Sequence, residues 1–579
     1  MSDRTAAMPW EAPLGAIPDD DETTLFRVWA PHADGVEVEL DGRREGLTPS
    51  GGGVHEGRLP ASAGDDYRYV LDGGDPLPDP CSRFQPEGVR GPSRIVDPGS
   101  WSWDEGGWAG LDRRGLVIYE LHVGTFTPEG TFAAAAQRLA DLRELGVTAV
   151  ELMPVATFPG DRNWGYDGLY TWAPHPAYGG PEGLQEFVAA AHRAGVGVLI
   201  DVVYNHIGPG SETLTAFGPY LTERYGTPWG QAVNFDDRDS GAVREWAVQN
   251  SEMWVRDYRV DGLRVDAVHA IYDSGARHIM ADLCARARSA GARPVLMVAE
   301  SDLDDPRVIR PPELGGWGFE AQWADDFHHA LHALLTGERD GYYADFGSVE
   351  DLAEATRAAF VRPGAYSEHR GRRHGAPAND RHPRQFVVCS QNHDQVGNRA
   401  LGDRPPEHTR RLAAMWTLLS PFVPMLFMGE EHGEEHPFQF FTDHIDPFIA
   451  TATRDGRRRE FAAFTGFSGE EVPDPQDAAT AARSVIDPGA GDPAMRELYR
   501  SLIALRRELP EGRPAVGYRP GHPWITVHRG ALTIIGNFGD DEVEVPVRDA
   551  ERLVLETDAG VALTGGLVRL PRWSGAVAR

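Results

Sequence analysis

The chain has 579 residues, and a typical domain size of roughly 150 residues predicts three or four domains, or fewer where a barrel is present. Its formal net charge of −32 argues against nucleic-acid and anionic-membrane partners, because both favour an excess of basic residues. All 56 basic residues are arginine, so Schiff-base lysine chemistry and a GxxxxGK[ST] phosphate loop are excluded.

Residues 1–100 are predicted to form an amino-terminal β-sandwich. The segments TLFRVWAP (24–31), GVEVELDG (35–42) and YRYVLDGG (67–74) have the composition of short strands and are separated by turn residues. A tryptophan-rich linker follows this region.

From about residue 110 to 495, apolar strand-like runs alternate with amphipathic segments. Two of these segments, 131–146 and 184–195, end at glycine, which is typical of helix termination. The apolar runs are 116–123, 147–155, 196–204, 260–268, 294–300, 319–327, 384–392 and 424–430. Eight such strands alternating with helices predict an α/β fold of the (β/α)8 TIM-barrel type. The span exceeds the roughly 250 residues typical of that barrel, so we expect insertions at 207–243 and 361–383.

Residues 496–579 are predicted to form a small carboxy-terminal β-domain. A helix-like stretch at 496–509 leads into short strands with turns within 524–571. A β-domain of this size is marginal by itself, so we expect it to pack against the barrel.

Charged and imidazole side chains follow the predicted strands at the end where a TIM barrel places its active site. The third strand ends in DVVYNH, the fourth in GLRVDAVHA, the fifth in Glu300, the sixth in ADDFHH and the seventh in QNHDQVGN. Placing like charges in one cleft costs free energy and drives carboxyl pKa values apart. A carbohydrate cleft uses that separation, with one carboxylate as nucleophile and one protonated carboxyl as acid.

Arg264 and Asp266 lie two residues apart in a predicted strand and therefore point to the same side. We expect Arg264 to hold Asp266 ionised. Taken alone, the pair fits a structural ion pair equally well. The carboxylates Glu300 and Asp394 at other strand ends favour a catalytic rim.

The segments DVVYNH, GLRVDAVHA, VAES and NHDQ resemble, in this order, the four short regions of the α-amylase superfamily. The resemblance covers essentially the whole chain and implies a carbohydrate-binding-module-like amino-terminal sandwich. It implies that Asp266 is the nucleophile, Glu300 the acid/base and Asp394 the transition-state stabiliser. The further positions for which it predicts substrate contact are Tyr166, Asp201, His206, Arg264, Val265, Ala267, Val268, His269, Asp325, Asp326, Phe327, His328, His329, His393, Gln395, Val396, Gly397 and Asn398.

Within that superfamily, the stretches 120–132, 323–343, 391–404 and 424–444 are similar to the trehalohydrolases of maltooligosyltrehalose. This resemblance implies retaining hydrolysis of the α-1,4 bond next to a terminal trehalose unit, and functional pairing with a maltooligosyltrehalose synthase. Two alternatives stay open: a glycogen (1,4-α-glucan) branching enzyme, and a non-catalytic α-glucan-binding protein on the same fold. His432 stands where the family pattern has an aromatic residue.

Three patterns bear on metal binding, and we expect neither a metal nor another cofactor. His432 and His436 have the HxxEH spacing of zinc proteases, but nearby glycine and proline favour a loop over the helix that this chemistry needs. The adjacent side chains of His328 and His329 are expected to diverge. Asn205 matches the calcium position of many α-amylases but has no evident companion loop.

The cysteines bear on the cellular compartment. Cys81, Cys284 and Cys389 lie far apart, which fits free buried thiols in a reducing environment. The amino-terminal segment has no apolar signal core, and no run of about 18 apolar residues occurs. We therefore expect a cytoplasmic location with no nucleic-acid and no membrane partner.

Overall fold

The computed structural model describes residues 7–19, 22–462, 472–547 and 550–579. Along the chain it has a β-sandwich, a closed barrel of eight parallel strands, and a β-domain of two sheets. The predicted α/β fold class, a TIM barrel flanked by two β-domains, is confirmed.

The amino-terminal sandwich consists of two antiparallel sheets. Its strands are β1 (Gly15–Pro18), β2 (Thr23–Trp29), β3 (Val36–Leu40), β4 (Arg43–Gly46), β5 (Thr48–Gly51), β6 (Val54–Pro60), β7 (Asp66–Leu71), β8 (Pro76–Leu77) and β9 (Ser93–Arg94). The sheet orders are β1-β2-β6-β5 and β4-β3-β7-β8, with β9 beside β7. Phe26 of β2 meets Tyr67 of β7 edge to face, 5.1 Å between ring centroids, so the sheets pack across a shared aromatic core.

The middle of the chain contains the barrel and its insertions. Its strands are β10 (Ile118–Leu121), β11 (Ala149–Leu152), β12 (Ala156–Thr157), β13 (Tyr170–Pro174), β14 (Gly197–Val202), β15 (Leu221–Thr227), β16 (Gly230–Val233), β17 (Gly262–Val265), β18 (Leu296–Ala299), β19 (Ala321–Trp323), β20 (Tyr366–Ser367), β21 (Arg372–Arg373), β22 (Phe386–Cys389) and β23 (Val423–Phe427). The barrel order is β10-β11-β14-β17-β18-β19-β22-β23, closed by the pairing of β10 with β23. Seven barrel strands lie within the predicted apolar runs, and β23 begins one residue before the eighth run.

Helices follow the barrel strands and surround the barrel. They are α1 (Val123–Phe126), α2 (Phe132–Ala136), α3 (Leu139–Leu145), α4 (Gly180–Ala194), α5 (Glu212–Thr215), α6 (Ser240–Asp257), α7 (Ile279–Ala290), α8 (Asp325–Thr336), α9 (Val349–Ala358), α10 (His393–Gly397), α11 (Glu407–Leu418), α12 (Pro447–Ala462), α13 (Ala478–Arg483) and α14 (Pro493–Arg506). Both predicted glycine stops hold, since Gly146 and Gly195 adopt left-handed conformations that close α3 and α4.

Two sequence predictions need correction. The amphipathic segment 131–146 is split into α2 and α3, with a break between Ala136 and Leu139. The sixth predicted strand, 319–327, is shorter than expected, because β19 ends at Trp323 and α8 begins at Asp325. Two aspartates in the first turn favour a helix start there, since carboxylates interact well with the positive end of the helix dipole.

The expected insertions carry their own short elements. Region 207–243 contains α5 and the β15–β16 hairpin, and region 361–383 contains the β20–β21 hairpin. Both leave the carboxyl ends of barrel strands or lie beside them, where such segments shape the mouth of a barrel.

The carboxy-terminal β-domain has a five-stranded and a three-stranded sheet. Its strands are β24 (Ala515–Tyr518), β25 (Trp524–Arg529), β26 (Leu532–Asn537), β27 (Val543–Pro546), β28 (Leu553–Glu556), β29 (Ala562–Thr564), β30 (Leu567–Leu570) and β31 (Ser574–Ala578). It contacts the barrel helices, as expected: Phe538 packs edge to face on Trp416 of α11, 5.0 Å between centroids. Among the described residues, no helix combines the length and hydropathy needed to cross a bilayer.

Candidate active site

The alternation of the barrel strands places the polar groups of the site. One hydrophobic cluster includes a residue from each of four strands, namely Ile118, Ala149, Leu199 and Val298. Side chains two positions apart on a strand point to the same side. The residues two positions further on are Glu120, Glu151, Asp201 and Glu300. A layer of carboxyl groups therefore lies above an apolar floor, at the carboxyl ends of the strands.

Arg264 is the hub of this layer and is fully buried. Its Nη1 donates hydrogen bonds to Asp201 Oδ2 at 2.6 Å and to Asp266 Oδ1 at 2.9 Å, and its Nη2 lies 3.6 Å from Glu300 Oε2. The guanidinium group also lies 4.2 Å from the ring centroid of Trp323. One permanent cation thus balances three carboxyl groups, which allows them to be buried together. The expected contact between Arg264 and Asp266 is present.

Glu300 has the electrostatics of an acid that keeps its proton. Burial raises its pKa, Arg264 opposes that rise, and the charges of Asp266 and Asp394 add to it. Its Oε2 accepts a hydrogen bond from the backbone N–H of Ala267 at 2.5 Å. Ala267 has φ 39°, a left-handed conformation that is strained for a residue with a Cβ. This strained turn aims the N–H at the carboxyl group and fixes its position.

A hydrogen-bonded chain leads from Asp201 to the floor of the site. The Tyr166 hydroxyl donates to Asp201 Oδ2 at 2.6 Å and lies 2.7 Å from His393 Nε2. On its other side, His393 Nδ1 lies 2.6 Å from Glu120 Oε1. Burial raises the pKa of Asp201 to about 7, against the effect of Arg264. Tyr166 therefore links an acid of strand β14 to the imidazole after strand β22.

His393 is an imidazolium ion at neutral pH. Burial alone would lower its pKa, but Asp394 and Glu120 outweigh burial and raise it to about 9. Glu120 also accepts the backbone N–H of His393 at 2.8 Å, so this carboxyl group binds both the ring and the main chain. Asp394 Oδ2 lies 3.4 Å from Nε2 and remains partly exposed toward the cleft.

Short helix α10 holds the segment after the seventh barrel strand. The Asn392 side chain caps it by accepting the backbone N–H of Gln395 at 2.7 Å. Asn398 Nδ2 donates to Asp394 Oδ1 at 2.9 Å, which orients that carboxylate. At Gly397 a Cβ would stand 2.2 Å from the Trp164 ring, so only glycine lets the helix approach so closely.

The first turn of α8 contributes two further acidic side chains, Asp325 and Asp326, beside the carboxyl layer. Burial raises the pKa of Asp325 well above its usual value, and the charge of Glu300 adds to this. Burial does the same for Asp326, whose carboxyl group is hydrogen-bonded to that of Asp304. Asp326 Oδ2 also accepts the backbone N–H of Val361 at 2.7 Å. Protonated carboxyls of this kind can donate as well as accept hydrogen bonds.

The histidines of α8 form an aromatic stack that the sequence did not predict. His328 and His329 were expected to diverge, yet their Nδ1 atoms lie 3.4 Å apart. His329 stacks on Tyr342 with 4.4 Å between ring centroids, and burial lowers its pKa to about 3. His328 is buried beside Tyr343, 6.1 Å between ring centroids. The Tyr342 hydroxyl donates to Gln395 Oε1 at 3.4 Å and so connects this stack to α10.

Two more predicted contact residues lie on the rim. His206 Nε2 lies 2.9 Å from the Tyr166 carbonyl oxygen, and its ring stacks on the exposed Trp229 at 4.8 Å. His269 Nε2 lies 3.8 Å from Asp302 Oδ1. The Trp229 ring belongs to the turn between β15 and β16, so the insertion after the third strand covers one side of the site.

Four residues predicted to contact substrate have side chains in the hydrophobic core instead. Val265, Val268, Phe327 and Val396 are at most 1% exposed. These side chains are not exposed to a sugar in this conformation, so their contact with substrate stays a prediction.

The sequence reasoning missed Glu120, Glu151, Trp323 and Tyr342 as parts of the site. The sequence could have indicated Glu120 and Glu151, because each is a lone acidic residue inside an otherwise apolar strand run.

The described residues include no group of three or more His, Cys, Asp or Glu side chains arranged to hold a metal ion. The HxxEH segment is a short 3-10 turn followed by a loop, so its two histidines do not share a helix face.

Comparisons with known proteins agree with this architecture. Residues 97–218 match the family model described as alpha amylase, catalytic domain, and residues 13–90 match carbohydrate-binding module 48, the isoamylase N-terminal domain. Residues 519–577 match a domain of unknown function. Barrel, carboxyl layer and family model together define a glycoside hydrolase of the α-amylase type.

Relatives that match over more than nine tenths of their length identify the family within this class of glycoside hydrolases. The chain is 48% identical to a malto-oligosyltrehalose trehalohydrolase of Rhizobium sp. (strain M-11), over 96% of this chain and 97% of the relative. It is 42% identical to the protein of that name from Saccharolobus solfataricus, over 91% and 93%. A Salmonella typhimurium crystal structure, provisionally described as an alpha amylase, has a TM-score of 0.90 and 36% identity over 98% of this chain and 99% of that one. The chain belongs to the malto-oligosyltrehalose trehalohydrolase family.

Proposed function

We propose that this protein hydrolyses the α-1,4-glucosidic bond next to the terminal trehalose of maltooligosyltrehalose and releases trehalose. The observation that carries the proposal is the buried Arg264 hub, which binds Asp266 at 2.9 Å and lies 3.6 Å from Glu300, an acid with a raised pKa. A carboxyl group placed to act as nucleophile and a second one with a raised pKa to act as acid are what retaining glycoside hydrolysis requires. Family membership supports the choice of substrate.

In the proposed mechanism, Glu300 protonates the glycosidic oxygen while Asp266, oriented by its hydrogen bond from Arg264, attacks the anomeric carbon. Trehalose departs with the proton from Glu300, and the anomeric carbon of the remaining maltooligosyl chain forms an ester with Asp266. Glu300, now ionised, takes a proton from water, and the resulting hydroxide cleaves the ester and restores both groups. Asp394, oriented by Asn398, stabilises the positive charge that develops on the sugar ring.

Selectivity for the trehalose end is assigned to the α8 group of acids and histidines. A small cavity of about 60 Å³ is lined by residues that include Asp304, Asp326, His329 and Tyr342. The acidic, imidazole and phenol groups around this cavity can hydrogen-bond to the hydroxyl groups of a sugar. Such a site rejects a substrate that lacks those hydroxyls, because buried polar groups would stay unpaired.

Product analysis tests the proposal on three substrates: maltooligosyltrehalose, a maltooligosaccharide with the same number of glucose units, and amylose. We expect trehalose from the first and slow hydrolysis of the others. Branch points formed on amylose, with no trehalose from maltooligosyltrehalose, would establish the branching alternative instead. Binding of all three without turnover would establish the non-catalytic one.

Cellular context is also part of the proposal. We propose a cytoplasmic location and functional pairing with a maltooligosyltrehalose synthase, because the substrate needs an enzyme that converts the reducing end of a glucan into a trehalose unit. Cys81, Cys284 and Cys389 are all buried and free, which is compatible with a reducing compartment.

A further inference from the structure

Two neighbouring cavities open at the end of the barrel opposite the carboxyl layer. One encloses about 450 Å³ and the other about 690 Å³. Both are lined by Arg384 and Glu511, and both reach the amino-terminal ends of barrel strands, at Val117 before β10 and at Val423, the first residue of β23. They lie where the carboxy-terminal domain meets the barrel, since Arg529 of β25 lines the smaller one.

The smaller cavity carries an excess of positive charge. Its charged lining residues are Arg114, Arg384, Arg506, Arg507, Arg529 and Glu511. The chain as a whole has a net charge of −32, so five guanidinium groups around one cavity are a strong local departure from its composition. The overall field repels anions, and an anion bound here must be held by local contacts.

The two innermost guanidinium groups bind main-chain carbonyl oxygens. Arg506 donates to the carbonyls of Leu418 and Ser420, each at 2.8 Å, and also to that of Phe422. Arg529 donates to the same Ser420 oxygen at 2.8 Å. The two Nη1 atoms therefore lie no further apart than twice that distance. These bonds cap the carboxyl end of α11, which accounts for the positions of both side chains.

Carbonyl oxygens orient these arginines but do not neutralise them. Burial, together with the charges of Arg529 and Arg384, lowers the pKa of Arg506 to about 9. Burial and Arg384 likewise lower the pKa of Arg529 to about 10. Arg384 does have a carboxylate partner, Glu511 at 2.8 Å, but that residue is half-exposed at the edge. Converging buried cations with one peripheral counter-charge form a site that a divalent anion would stabilise.

We propose that the smaller cavity is a binding site for a phosphate group, held by Arg384, Arg506 and Arg529. Guanidinium groups match the oxygen geometry of phosphate. The carbonyl bonds use three of the five N–H groups on each of Arg506 and Arg529, which leaves two on each for an anion beside Arg384. The phosphate group comes either as the free ion or as part of a phosphate ester. An ester would extend its organic part into the 690 Å³ cavity, whose lining includes the apolar residues Leu296 and Val387.

Isothermal titration calorimetry on the full chain tests this proposal, with inorganic phosphate, glucose 6-phosphate and AMP as probes and sodium chloride at matched ionic strength as the control. We expect saturable binding of phosphate-bearing probes. Arg384→Gln should weaken binding about tenfold or more, since it removes a charge-assisted hydrogen bond. Arg500→Gln is the matched control, because Arg500 lies on α14 near Arg506 and is exposed in an ion pair with Glu497.

A second variant keeps the test decisive if Arg384→Gln misfolds. Arg114 and Arg507 are exposed, so the double variant Arg114→Gln/Arg507→Gln should fold and still weaken phosphate binding. Tighter binding of the esters than of phosphate would assign the larger cavity to the organic part, and equal binding would assign the site to the ion. No saturable binding of any probe below about 1 mM would overturn the proposal, as would equal losses in the Arg500→Gln control.

Discussion

Glu120 provides a quantitative test of how the site holds His393. In Glu120→Gln the amide oxygen can still accept the His393 backbone N–H, but the charged partner of Nδ1 is lost. A hydrogen bond to a charged group contributes about 1.5–3 kcal/mol, and one pKa unit corresponds to about 1.36 kcal/mol. The substitution should therefore lower the pKa of His393 from about 9 by about 1–2 units.

The sign of the effect on activity follows from that shift. His393 with a raised pKa stays charged until the pH rises through about 9, so turnover should fall on the alkaline side near that pH. In Glu120→Gln the same alkaline decline should begin about 1–2 pH units earlier, with little change at pH 6. The assay is the initial rate of trehalose release from maltooligosyltrehalose between pH 5 and pH 10, together with far-UV circular dichroism to confirm the fold.

Glu151→Gln is the matched control for this prediction. Glu151 occupies the register position next to Glu120 on β11, and its pKa is raised well above the usual value by burial and then by the charge of Glu120. Burial therefore favours its uncharged form, and an isosteric amide should leave the pH profile unchanged. An alkaline limb that stays in place in Glu120→Gln, or that moves equally in Glu151→Gln, would refute this account of His393.

The remaining predictions concern the acids and the absence of a metal. Asp266→Asn, Glu300→Gln and Asp394→Asn should each lower turnover by about 100- to 10,000-fold or more while circular dichroism stays native; near-normal turnover in Asp266→Asn would remove the proposed nucleophile. Azide should partly restore the activity of Glu300→Ala on an activated substrate, because azide needs no general base. A substrate-analogue crystal structure should show the carboxyls of Asp266 and Glu300 about 5–5.5 Å apart, whereas about 9 Å would indicate inversion. Turnover should survive exhaustive chelation with EDTA, and recovery on adding zinc or calcium would contradict the metal-free mechanism. Asp326→Ala, and less strongly His329→Ala, should weaken cleavage at the trehalose end more than hydrolysis of a maltooligosaccharide; equal losses on both would show that α8 does not confer selectivity.

The free energy of unfolding should also depend on the charge of His393, and therefore on pH. A histidine whose pKa is raised in the folded state stabilises the fold fully below its unfolded pKa of about 6.5, and this contribution is lost as the pH rises through about 9. The deficit of Glu120→Gln in urea unfolding should therefore be larger at pH 6 than at pH 9.5. A deficit that is the same at both values would mean that the substitution acts through packing alone.

The barrel and the acidic residues that end its strands, such as Asp201 and Glu300, were predictable because both depend on local patterns, whereas Glu120 and Glu151 inside strand runs were not predicted. Apolar runs of the right length identify parallel strands, and the polar residues that end them mark the active face. The pairing of Arg264 with Asp266 follows from the alternation of a single strand. Each of these inferences needs only a few neighbouring residues, and the fold preserves their local geometry.

Contacts between distant segments were not predictable in the same way. The ring of His329 meets Tyr342 thirteen positions later in the chain, after a helix and a turn. Gln395 reaches that tyrosine from α10, which follows a different barrel strand. The burial of Val268 and Val396 likewise depends on which side of a short turn faces the core, and one residue of rotation reverses it. Only the three-dimensional arrangement of several loops decides these contacts.

His432 shows how the physical role of a position can differ from the family pattern. An aromatic residue was expected here, and its absence raised the question of distal substrate contact. The His432 ring is instead buried, with Nδ1 3.1 Å from Glu431 Oε1 and Nε2 3.3 Å from Glu434 Oε2. Burial alone would lower its pKa, but the two glutamates raise it to about 9, so the ring is a cation that balances buried carboxylates. An aromatic ring could fill this volume but could not neutralise them. The glutamates on both sides of His432 therefore explain why histidine, and not an aromatic residue, occupies this position.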